Sequence, residues 1–263
     1  MELYLKLIDV LFPVFLVIGI GFYLGKKNPK FDTDFITKLT GTFGTPALIF
    51  YSLTSTGVNL ETFLEFFTYK VILITGFSLV GILTLFLTKR DIVYELPPLI
   101  LPNNGNIGIS VCLFAYGDLG LGIAGAIASV VMLLHFTLGI FLAKKALDFK
   151  VLFKNGPIYG ILLALIFLYF ELDVPIFLEN ATFLISYATI FLVLMALGIA
   201  LTRLKVFSFK LSLINSFTRM VLGPLIGLAL INFFNLRGVE AGVLFIQSAM
   251  PSAILTYLVG SMY

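Results

Sequence analysis

Apolar runs long enough to cross a bilayer recur along almost the whole chain. A hydrocarbon core about 30 Å thick needs about 20 helical residues. Such runs lie near 7–25, 35–55, 64–88, 96–117, 119–142, 156–172, 179–202, 210–234 and 239–262. They are continuous rather than alternating, which predicts helices and not the dyad pattern of a membrane barrel. The composition agrees. Hydrophobic residues make up 60% of the 263 and charged residues 12%, with a mean hydropathy of +1.09. A soluble domain is roughly half apolar and a quarter charged. Lipid is therefore the expected solvent for an all-α, polytopic protein with a single membrane domain, 1–263.

The charges are unevenly placed. Basic clusters such as Lys26, Lys27 and Lys30, or Lys89 and Arg90, follow the odd-numbered spans. On the opposite side stand only Lys6, Lys70 and Arg237, and the outer loops are acidic. The basic side of a membrane protein is cytoplasmic. This predicts an N-terminus outside and a location in the cytoplasmic membrane. The first run follows Glu2 and Asp9 and lacks a small-residue cleavage site, so it reads as a retained helix. The net charge of +3 suggests no nucleic-acid partner. The single cysteine, Cys112, cannot form an internal disulfide.

One decapeptide interrupts the pattern. Residues 101–110 read LPNNGNIGIS, inside the fourth span. Pro102 removes a backbone donor and Gly105 permits an unwound turn. Asn103, Asn104 and Asn106 can satisfy freed backbone groups and still face a ligand. Non-helical backbone at membrane depth survives only beside protein or a water-filled cavity. Span nine carries a second break, FIQSAMPSAIL at 245–255, with Pro251 flanked by Gln247, Ser248 and Ser252. Five spans separate the two breaks. That spacing predicts inverted five-helix repeats, 1–148 and 149–263, the second incomplete, with a substrate site where the broken helices cross. Half-helix N-termini near Asn104–Asn106 and Pro251–Ser252 favour an anion. Carbonyl ends at Leu101 and Met250 would favour a cation. A carboxylate moving with H⁺ or Na⁺ fits both.

The same residues carry a resemblance. FPVFLVIGIGFYLGKK (12–27), GTPALIFYSL (44–53), NNGNIGIS (103–110), LVLMALGIALTRL (192–204), RMVLGPLIGLAL (219–230) and SAMPSAILTYLVGSMY (248–263) resemble the auxin efflux carrier family. That family includes plant PIN-type carriers and prokaryotic dicarboxylate carriers. The resemblance implies ten helices in two inverted repeats, two crossed helices broken at prolines, and an elevator-type motion of a transport domain against a scaffold. It implies small organic anions as substrates, auxin-like monocarboxylates or dicarboxylates such as malate or malonate, and homodimers. The spans read above number nine, so the family's tenth helix has no counterpart before Tyr263. Alternatives are a sodium-coupled organic-anion symporter of the bile-acid type, and a channel or non-transporting membrane component.

Other residues have narrower readings. Arg219 is the one basic residue deep in a span. It could pair with Asn215, bind a substrate carboxylate, or snorkel to the surface. His135, the lone histidine, is either a packed side chain or a proton relay. Asp9 and Glu95 lie near span ends and read as wet. Pro46 is expected to kink span two or to face the cavity, and the Thr45 hydroxyl could bond the freed carbonyl. Gly19, Gly21, Gly25, Gly122 and Gly125 mark close helix contacts. Ser110 with His135 forms a weak nucleophile–base pair lacking the strand–turn–helix context of a hydrolase. No cofactor-binding pattern stands out: there is no zinc-ligand cluster and no phosphate-binding Gly-Lys-Ser/Thr loop.

Overall fold

The computed structural model describes residues 2–139, 155–203 and 209–253. Helix α1 spans Glu2–Lys27. Helix α2 (Asp34–Leu39) passes through a π-helical turn, Thr40–Gly44, into α3 (Thr45–Thr54). Then come α4 (Leu60–Leu87) and α5 (Ile92–Ile100). Helix α6 (Ile109–Leu134) is preceded by a π-turn at Asn104–Gly108 and followed by another at His135–Gly139. Helices α7 (Gly156–Tyr169), α8 (Ile176–Leu201), α9 (Phe209–Phe233) and α10 (Gly238–Ala249) complete the described residues. Among the described residues, five segments are long and apolar enough to cross a membrane: Tyr4–Lys27, Leu60–Leu87, Asn104–Leu138, Ile176–Leu201 and Leu213–Phe233.

Local chemistry explains the boundaries. Pro46 has no N–H to return to the preceding turn. The backbone accommodates this by widening ahead of it, where the Thr45 N–H reaches Thr40 O. Among the described residues, that turn takes the place of the expected Thr45 hydroxyl bond. The Asn59 side chain accepts from Thr62 N at 2.8 Å and starts α4 at Leu60, four residues before the predicted 64. Gly117, at φ 64°, separates the predicted fourth and fifth spans. Only glycine adopts that conformation cheaply.

Helix α6 is the centre of the packing, and every residue from Gly120 to Val131 is buried. It lies against α3, α4 and α10. Gly125 faces Ser52 of α3, where an added Cβ would come within 2.9 Å of the serine Cβ. Helix α1 packs along α8 through Gly21 and Gly198. A Cβ on Gly198 would sit 2.7 Å from Phe22 N. Gly25 also meets α8, at Thr202, but Gly19 faces open space. The outer faces of α1 and α8 expose large apolar side chains, as a lipid-facing surface does.

Candidate functional site

The two proline-containing breaks meet. Helix α5 ends at Ile100, residues 101–103 are non-helical, and helical backbone resumes at Asn104. Helix α10 ends at Ala249, and residues 251–253 run antiparallel to 101–103. Asn103 N donates to Pro251 O at 2.7 Å and Ala253 N donates to Leu101 O at 3.0 Å. Pro102 and Ser252 face each other between these bonds. Each break thus supplies the backbone partners that the other lost. Residues after Ala253, including the expected second half-helix, lie outside the described residues.

A buried polar cluster lies against this pairing. The Asn104 amide donates to Gln247 O at 3.0 Å and to Gln247 Oε1. Gln247 Nε2 donates to Cys112 Sγ at 3.7 Å. Lys70 Nζ, on α4, donates to Asn104 Oδ1 at 3.4 Å. Asn104, Gln247 and Lys70 have no solvent exposure. Gly108 lets Gln247 in: an added Cβ would lie 2.6 Å from its Oε1. The π-turn makes Gly108 N the donor to Asn103 O, at 3.1 Å. The N–H groups ahead of it have no acceptor within the helix and form a positive helix end.

Arg219 holds the opposite, carbonyl side. From α9 its guanidinium donates to Leu99 O at 3.0 Å, Met250 O at 3.1 Å and Ser248 O at 3.4 Å. Its Cζ stands 4.6 Å from the Phe77 ring centroid. One planar fork therefore binds the C-terminal ends of both α5 and α10. It does not snorkel, since it is only 1% exposed. Nor does it pair with Asn215, which bonds Arg90 at 2.7 Å and Glu95 at 3.2 Å. Glu95, expected to be wet, instead forms an ion pair with Arg90 and is half-buried. The carbonyls expected to attract a dissolved cation are in use: Leu101 O accepts Ala253 N, and Met250 O accepts Arg219.

The remaining predicted residues divide. Asn103 and Ser248 are buried at the crossing, where Ser248 Oγ donates to Phe245 O at 2.7 Å. Pro102 is buried, and Gly105 adjoins Met132, whose Cε would lie 2.9 Å from an added Cβ. Asn106 is half-buried, and its carbonyl accepts Ser110 Oγ at 2.7 Å. Pro251 and Ser252 are exposed, with Ser252 Oγ bonded to Pro98 O at 2.5 Å. His135 is apart from the cluster: its Nδ1 lies 2.8 Å from Val131 O, and no bond joins it to Ser110 among the described residues. Lys70 is the correction with most consequence. Counted with the outer basic residues, it lies ten residues inside α4, about 15 Å along the axis. The available signal was an interval. Lys70 precedes Pro102 by 32 residues (70 to 102), and Arg219 precedes Pro251 by the same 32 (219 to 251).

Residues 146–263 match the family described as Membrane transport protein. An uncharacterized transporter of Methanocaldococcus jannaschii is 28% identical, over 97% of this chain and 89% of its own length. Both matches are to membrane transport proteins, and the family-model match falls on the second part of the chain. These similarities support a multi-pass membrane transporter, in keeping with the five long apolar segments among the described residues.

Proposed function

We propose that this chain is a carrier of the auxin efflux type that moves a small organic anion across the cytoplasmic membrane by secondary transport, with the helix crossing as its binding site. One observation carries the reading. A buried lysine, Lys70, attends the crossing with one hydrogen bond, to the neutral Asn104 amide oxygen, while the one ion pair among the described residues joins Arg90 to Glu95 elsewhere. Buried charges need partners, and a carboxylate is the natural one here. The positive end of the helix that resumes at Asn104 adds to the attraction. The equal 32-residue intervals and the antiparallel pairing of the breaks support two inverted copies of one unit. Alternating access would then carry the crossing, as part of an elevator-type moving unit, past a scaffold that includes the α1–α8 pair. Arg219 already fills the carbonyl side, which weighs against a dissolved sodium ion at that face.

The test is counterflow in proteoliposomes with labelled indole-3-acetate and malonate. Saturable, trans-stimulated uptake is expected for at least one anion, with uptake falling at least tenfold in Asn104→Ala. Flux linear in concentration would identify a channel instead. No flux of either anion would count against the reading.

A further inference from the structure

Lys70 and Arg219 share an interval to their prolines but not a chemical setting. Arg219 faces two helix C-termini, each worth about −0.5 of an elementary charge, which together match its single positive charge. Each of its three nitrogens donates to a backbone carbonyl. Lys70 has the reverse surroundings. Its ammonium can donate three hydrogen bonds. Among the described residues it makes one, at 3.4 Å, to the neutral amide oxygen of Asn104. Asn104 is also where the positive end of a helix begins, which repels a further cation rather than compensating it.

We propose that the two cations divide the work. Arg219 is a positioning residue that clips the two breaks together and contacts no substrate. Lys70 is a substrate ligand, and the Asn104 oxygen stands where a carboxylate oxygen of the transported anion binds. One uncompensated positive charge at this depth selects a substrate presenting one carboxylate there, so a monoanion is favoured over a dianion. The proposal rests on the transport reading above and adds to it the residue that recognises the substrate's charge.

The two roles predict opposite responses to truncation. Removing a buried charge that lacks a counter-ion relieves a burial cost, whereas removing one that satisfies three acceptors leaves them unpaired. The experiment measures melting temperature of the purified full chain in detergent, with and without indole-3-acetate or malonate, beside uptake kinetics. Without anion, Lys70→Met is expected to melt at or above the wild type and Arg219→Met below it. Indole-3-acetate is expected to raise the wild-type melting temperature more than malonate does, and to leave Lys70→Met unmoved. KM for indole-3-acetate is expected to rise about 10- to 100-fold in Lys70→Met, with partial recovery in Lys70→Arg. An unchanged anion response in Lys70→Met would overturn the proposal. So would a loss of anion-free stability equal to that of Arg219→Met, or a stronger wild-type response to malonate. A wild type that neither responds to nor transports either anion would overturn the transport reading itself.

Discussion

Individual side chains at the crossing differ sharply in what they hold, and substitutions should separate them. Gln247 gives Asn104 both a carbonyl and an amide acceptor, with no exposure to water. Gln247→Ala is expected to destabilise the chain by about 1–3 kcal/mol, the cost of an underbonded buried polar group. Asn106→Ala, at a half-buried position, should change stability by less than about 0.5 kcal/mol. Thermal melting in detergent distinguishes the two. The residue scale is also where sequence reading falls short. Asn103, Asn104, Gln247 and Ser248 stand out because amides and hydroxyls are rare inside apolar runs. Lys70 does not, because a lysine six residues into a predicted span reads as a rim residue. Its burial depends on the Asn59 cap, which sets the helix start, and on Asn104, 34 positions away in the chain.

At the scale of elements, proline and glycine act through where they remove or permit backbone. Gly117, at φ 64°, does not stand out among the chain's many glycines, whereas Pro102 and Pro251 draw attention in the sequence because proline has a local backbone consequence. The π-turn ahead of Pro46 has the same origin, although a kink was the form expected. Helix pairing was less legible. Gly19, Gly21 and Gly25 look alike in sequence, yet only the last two face α8. Register against a distant helix decides which small residue matters, and one chain's sequence does not display that register. The structure makes the difference testable. Gly198→Leu would drive a side chain into the backbone of α1 at Phe22, whereas Gly19→Leu would enter open space. Size-exclusion chromatography should show loss of the monodisperse peak for Gly198→Leu and retain it for Gly19→Leu.

The whole molecule joins these pieces through one constraint. Lipid offers backbone groups no hydrogen bonds, so two interrupted helices must satisfy each other. Doing so brings the C-termini of α5 and α10 to one side, where Arg219 binds them, and the start of the next helix to the other, where Lys70 lies. The central claim is that an anion binds on the Lys70 side. Cys112 reports on that claim directly, as the chain's single cysteine and a hydrogen-bond partner of Gln247. The decisive measurement is the rate of Cys112 alkylation by a small neutral maleimide, with and without saturating indole-3-acetate or malonate. The account predicts that the bound anion slows alkylation several-fold in the wild type and has no effect in Asn104→Ala. Equal rates with and without either anion in an alkylatable wild type would contradict it.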